Sequence, residues 1–111
     1  MDKNEIYIAV PSNDGETIFP KMLGMTACFY IYRLNHTKQS FSFIEKRENP
    51  YIDTRQHMKT LDVYELIKDC KKILSAHIGK KGIEKLKNKG VELYFDRGKI
   101  QPALIRILKS A

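Results

Sequence analysis

The sequence predicts one α/β domain of three layers, with helices packed on a mixed five-stranded sheet that contains one antiparallel hairpin. Three observations predict it. The chain has 111 residues, room for one domain spanning 1–111 and one modest core, since domains typically run to roughly 100–150 residues. Its first half holds β-rich apolar runs separated by turn residues. Its second half alternates helix-spaced and strand-like segments, the pattern of strand–helix–strand units that pair in parallel through right-handed crossovers.

The elements follow in order. Ile6-Tyr7-Ile8-Ala9-Val10 is apolar and uncharged, as expected of a strand buried on both faces, and Pro11-Ser12-Asn13-Asp14-Gly15 ends it with concentrated turn chemistry. Glu16 to Thr26 reads as a loop, with Pro20 and Gly24 inside it. Cys28 to Leu34 reads as a strand, Asn35 to Lys38 as a turn and Ser40 to Glu45 as a strand, which together make the hairpin. Glu45 to Arg55 is polar and contains Pro50, and reads as a crossover loop.

Leu61, Tyr64 and Ile67 then have helical spacing, with a start between Thr54 and Thr60 and an end near Asp69. Ile73 to Ala76 reads as a short strand. Gly79 opens a helix whose stripe is Ile83 and Leu86, whose other side carries Lys80, Lys81, Lys85, Lys87 and Lys89, and which Gly90 stops. Val91 to Phe95 alternates as a strand. Ile100, Ala103, Leu104, Ile107 and Leu108 form the stripe of a last helix, with Pro102 tolerated in its first turn. The order β-β-β-α-β-α-β-α suggests a ribonuclease-H-like layout.

Composition excludes some classes. No run approaches the roughly 18–20 apolar residues of a membrane span, and Met1 to Glu5 lacks the character of a signal peptide. Cys28 and Cys70 are isolated, forming neither a disulfide framework nor a CxxC pair, so a reducing compartment, the cytoplasm, is expected. The net charge is +7, and residues 1–36 hold three basic against four acidic side chains, so the rest of the chain carries all the excess. A basic half of this kind attracts nucleic acid, an anionic cofactor or an acidic protein, or is simply a solvated lysine surface.

In open α/β sheets ligands gather beyond the carboxyl ends of the parallel strands. That edge should collect the Pro11–Ala27 loop, the crossover near His57 and the turn Ala76-His77-Ile78-Gly79. These segments hold Met22, Met25, Cys28, His57, Met58 and His77, and thioether, thiolate and imidazole suit copper(I), iron–sulfur clusters and similar soft centres. None lies at a diagnostic spacing. The ordinary readings are that Met22 and Met25 fill gaps under a loop, that Cys28 and Cys70 are small core residues, and that His36 faces solvent in the hairpin turn. His57 and His77 are the better ligand candidates, with a structural histidine the competing reading for each. Gly79-Lys80-Lys81-Gly82 offers helix-terminal amides and two ammonium groups to an oxyanion, or merely a tight turn. No GxSxG or HExxH occurs, and the first strand lacks the carboxylates a metal-dependent nuclease needs at its strand ends, so a non-enzymatic role is expected.

Several segments resemble one family in order and spacing. Ile6 to Gly15 is similar to the opening strand and turn of dinitrogenase iron–molybdenum cofactor biosynthesis domains, and Gly24 to Tyr32 to their glycine-led second strand. Asn49-Pro50 before His57, Leu66 to Cys70, Ile73 to Gly79 and Gly90 to Tyr94 follow in the family's order. The resemblance implies a ribonuclease-H-like fold and a role in binding, carrying or inserting iron–molybdenum cofactor or a related metal–sulfur cluster. It also marks two departures. Where the family often has His-Phe-Gly-Arg, this chain has Met22-Leu23-Gly24-Met25, and His57 lacks the flanking glycines common there. Thioethers replace imidazole and guanidinium, which implies either a softer centre or the loss of cluster binding.

Two functional expectations result. In the first, the chain carries an anionic metal–sulfur cluster for an acceptor or scaffold protein. Met22, Met25 and His57 then act as metal ligands and Cys28 as a further candidate. Met58 and His77 line the site, Gly24 and Gly79 permit close approach, and Lys80 and Lys81 balance charge. In the second, the chain is a basic interaction module for an acidic protein or, less favoured, nucleic acid, with no cluster.

Overall fold

β1 (Glu5–Ser12) lies at the middle of the sheet because both of its faces are apolar, and Ile8, Ala9 and Val10 are completely buried. The computed structural model describes residues 5–51 and 59–110. β2 (Cys28–Asn35) and β3 (Ser40–Glu48) form the hairpin, and β2 runs antiparallel to β1 over its whole length. α1 (Lys59–Ile67), β4 (Lys72–Ser75), α2 (Lys80–Asn88), β5 (Glu92–Phe95) and α3 (Ile100–Ser110) complete the chain. The sheet order is β3-β2-β1-β4-β5, with β4 parallel to β1 and β5 parallel to β4.

The sheet divides two cores. α3 covers one face, burying Ile100, Ala103, Leu104, Ile107 and Leu108 against Ile8, Val10, Tyr32, Leu34 and Leu74. α1 and α2 cover the other, where Val63, Ile67 and Leu86 meet Ala9, Phe29, Ile31 and Ile73. The three-layer mixed sheet expected from the pattern is therefore present. Gly90, just past the α2 C-terminus, has φ +83°, the left-handed conformation that ends a helix and that glycine adopts without a Cβ penalty.

Three details differ from expectation. β1 runs on through Pro11 to Ser12, because Pro11 points its carbonyl away from β2 to accept the Phe19 N–H (2.8 Å). Its nitrogen faces the same way, so the β1–β2 ladder loses no donor. β3 runs on to Glu48 through Glu45, Lys46 and Arg47, since an edge strand tolerates and even favours charge. His36, expected to face solvent, is only partly exposed and points its Nε2 at the buried Lys72, 3.2 Å away. Among the described residues no helix is long and apolar enough to cross a membrane.

Arg47 ties the hairpin to the end of α1. Its guanidinium makes two parallel bonds to Asp69 (2.7 and 2.8 Å), donates to the Leu66 carbonyl (2.8 Å) and reaches Glu45 (2.7 Å). The Arg47 hydrogen bonds hold the Asp69 carboxyl below its ordinary 3.8, against an opposing effect of burial. A carboxylate with a depressed folded-state pKa stabilises above its unfolded value and loses that contribution as pH falls through the folded one. Asp69→Asn should therefore cost about 1 kcal/mol at pH 7, a modest figure because the carboxylate is half exposed. The gap from wild type should close below pH 3.8, as read from urea unfolding at stepped pH.

Candidate functional site

The carboxyl ends of β1, β4 and β5 form one edge, and the antiparallel directions of β2 and β3 bring Cys28 and Asn49 to the same edge. The long loop after β1 is fastened there in two halves. Its first half is anchored by the fully buried Ser12, whose hydroxyl donates to the Thr17 carbonyl (2.7 Å), and by Asp14 Oδ1, which accepts from the amides of Glu16 (2.9 Å) and Thr17 (2.8 Å). These amide bonds lower the Asp14 pKa. Ile18 then plugs the α3-side core, and its amide donates to Gly98 O (2.8 Å), tying the loop to the turn before α3.

The second half carries the soft donors. Met22 pairs with His77 as an isolated parallel bridge, and the Leu23 amide donates to His77 O (3.0 Å). Leu23–Met25 forms a 3₁₀ turn with Leu23 buried beneath it. A 3₁₀ turn has about three residues per turn, so positions three apart project on the same side. Met22 and Met25 are so spaced and are 41% and 48% exposed, although apolar side chains of this size usually find cover.

Two asparagines hold this turn in shape. Asn49, at the end of β3 and only 5% exposed, donates through Nδ2 to the carbonyls of Gly24 (3.0 Å) and Thr26 (2.9 Å). Its own amide donates to Ala27 O (2.9 Å). Asn13 Oδ1 accepts from the Ala27 amide (2.9 Å). From sequence alone Asn49 is legible only as a family landmark and Asn13 only as a turn residue. A polar residue closing an edge strand beside a proline was the available signal.

Met22, Leu23, Gly24, Met25, Val63, Ile78 and Gly79 line an apolar pocket of about 140 Å³ between the 3₁₀ turn, α1 and the start of α2. A Cβ on Gly79 would lie 3.0 Å from Met22 Cε, so glycine is what lets the thioether lie against the backbone there. Gly79 is also the N-cap of α2 and makes no side-chain cap bond, and Lys80 and Lys81 stand exposed in the first turn.

The structure thus gathers Met22, Gly24, Met25, His77, Gly79, Lys80 and Lys81 at one edge. Cys28 reaches that edge on the other side of the sheet. Side chains alternate along β2, and Cys28 shares the α3 face with Tyr30 and Tyr32, whereas the pocket adjoins the face of Phe29 and Ile31. His57 and Met58 lie outside the described residues. Among the described residues no group of three or more His, Cys, Asp or Glu side chains is arranged to hold a metal ion.

Residues 4–110 match the family model described as dinitrogenase iron–molybdenum cofactor. Curated proteins give no sequence match. Solved structures share the fold at low identity. PH0822 superposes with a TM-score of 0.75 at 19% identity, covering 95% of this chain and 92% of its own. The apo form of the orange protein from Desulfovibrio gigas gives 0.69 at 16%, covering 94% and 88%. A candidate dinitrogenase from Methanocaldococcus jannaschii gives 0.65 at 12%, covering 96% and 90%.

Two outcomes are expected. Asn49→Ala should cost about 1–3 kcal/mol, because buried carbonyls lose their donor, and Asn49→Asp should be no better at pH 7, since a carboxylate cannot donate to a carbonyl; urea unfolding reads both. The two thiols should also separate in rate. Burial pushes the Cys70 pKa up to about 12, whereas Cys28 is partly exposed. A thiol reagent at pH 8 should therefore modify one cysteine in the native protein, with peptide mapping identifying Cys28, and the second only on unfolding.

Proposed function

From the premise that this chain belongs to the dinitrogenase iron–molybdenum cofactor family, we propose that it binds and carries an anionic metal–sulfur cluster at the pocket between the Met22–Met25 turn and α2. The observation that carries this reading is two half-exposed thioethers lining an apolar pocket beside the N-terminus of a lysine-bearing helix whose glycine N-cap has no side chain to bond the first amides. Thioethers are neutral, soft donors matched to sulfide-rich or copper(I)-containing centres. The α2 amides, together with Lys80 and Lys81, supply the positive end that an anion requires. His77, opposite Met22 in the bridge, adds an imidazole. The cluster is cargo in this reading, and no covalent chemistry by the protein is involved. Family membership supports a small cofactor-biosynthesis or carrier role, and the neighbour described as an apo form is a protein of the same fold with a ligand-free state.

The departure from His-Phe-Gly-Arg weighs on this reading in a defined way. Without the arginine, charge compensation falls to the lysines at α2. Without the family's imidazole, soft contact falls to Met22 and Met25. His57 retains the ligand role that the resemblance implies.

A second reading rests on the same helix, because Lys80, Lys81 and Lys87 along α2 and Lys89 at its C-cap are all exposed. In it the chain docks an acidic protein, or nucleic acid, without a cluster. Such binding falls steeply with salt.

Anaerobic reconstitution with iron, sulfide, molybdate and copper(I), followed by desalting, metal analysis and an absorption spectrum, tests the carrier reading. Stoichiometric metal should remain on the wild type and fall at least about tenfold in the Met22→Ala/Met25→Ala variant, the effect of losing roughly 1.4 kcal/mol of binding. Gly79→Ala, which displaces a flexible thioether, should weaken retention while the urea midpoint stays near wild type. Failure of the wild type to retain metal would overturn the reading and turn the search to salt-dependent partners. Full retention by the double variant would move the site elsewhere.

A further inference from the structure

At the opposite edge from the pocket, where β4 and β5 begin, a polar cluster that the carrier reading does not use gathers around one buried lysine. Lys72 is the first residue of β4, and its side chain is only 7% exposed. Its ammonium lies 3.1 Å from Tyr94 Oη, 3.4 Å from Glu92 Oε2 and 3.2 Å from His36 Nε2, and 5.1 Å over the Tyr94 ring. Tyr94 in turn donates to Glu92 (3.0 Å). His36 belongs to the β2–β3 turn, and in the sheet order β1 separates β2 from β4. The imidazole therefore reaches past the central strand to fasten the hairpin tip to the far half of the sheet.

An ammonium has no lone pair, so Lys72 must donate and His36 Nε2 must accept. The ring proton is then on Nδ1, which is buried with no hydrogen-bond partner among the described residues. A second proton would have to sit on Nε2 itself, pointing at a cation that burial keeps from swinging away. Among the described residues, the charged and titratable groups bonded at this junction are Lys72 from β4 and Glu92 and Tyr94 from β5; Arg33 and Glu5, near the same end, pair with each other (3.2 Å). We infer that His36 and Lys72 form a pH-sensitive latch, closed while the imidazole is neutral, whose protonation releases the tip of the β2–β3 hairpin from β4 and β5.

The electrostatics agree in sign. Burial, and then the Lys72 charge, push the His36 pKa below 6.5, with Glu92 opposing. A base whose folded-state pKa is depressed contributes stability that is complete above its unfolded value and is lost as pH falls below it. At pH 5.5, about one unit below, the ratio of folded to unfolded protein should drop by up to roughly tenfold on this account.

The test compares wild type with His36→Gln, whose amide oxygen can accept from Lys72 and does not titrate. Urea unfolding and amide hydrogen exchange of the hairpin tip are followed from pH 7.5 to 5.5, and the His36 ring is titrated by NMR in the wild type. The latch predicts a ring midpoint below 6.5, a tip that exchanges faster as pH falls, and loss of that pH dependence in His36→Gln. A ring midpoint at or above 6.5 in the wild type, or parallel pH profiles for the two proteins, would overturn it. The ring titration needs no variant, so a midpoint at or above 6.5 overturns the latch even if the substitution impairs folding.

Discussion

β1 is held between two neighbours of opposite sense, antiparallel β2 along its full length and parallel β4 at its middle. That placement requires both faces to be apolar, and Ile8, Ala9 and Val10 meet the requirement, with even positions facing α3 and the odd one facing α1 and α2. The mixed pairing has a geometric consequence. The ends of β1, β4 and β5 and the near ends of β2 and β3 all arrive at one edge, so residues distant in sequence are neighbours there. The loop after β1 crosses that edge and is fastened to the turns before α2 and α3 by backbone bonds.

The edge is built from polar backbone chemistry and finished with apolar side chains. Asn13 and Asn49 satisfy the groups of a loop that has no ladder of its own, as buried peptide groups require. Once those groups are satisfied, Met22 and Met25 stay half exposed over the pocket, and the close approach of Met22 to Gly79 narrows it. The opposite edge reverses the arrangement: a buried lysine is surrounded by hydroxyl, carboxylate and imidazole. Its full set of partners is what makes burial of an ammonium affordable.

Periodicity made the architecture legible because each pattern corresponds to a face that must be covered. The stripe from Ile100 to Leu108 is buried in the structure, and the lysine-rich side of α2 is largely exposed, as its spacing required. Misreadings arose where a residue's local preference was overridden by its neighbours. Pro11 sits in a strand because its nitrogen faces away from β2, and Glu45 to Glu48 pair because β3 is an edge. His36 looked like a solvated turn residue, since nothing in its own segment announces a lysine that lies 36 positions later.

The sequence by itself determined the element order, the two buried faces, the glycine that ends α2 and the soft-donor content of the carboxyl edge, because these depend on residue types at fixed local spacing. Tertiary structure alone decided which donors meet. The backbone of Met22 pairs with that of His77 in a bridge, while Cys28, six residues after Met22, falls on the other side of the sheet. Asn49 and Lys72 acquired their roles the same way, through strands that pair over long separations. The physical reason is the strand's two-residue alternation together with a register set by long-range pairing: neither the side of the sheet nor the cross-strand neighbour of a given side chain is specified until the sheet has formed.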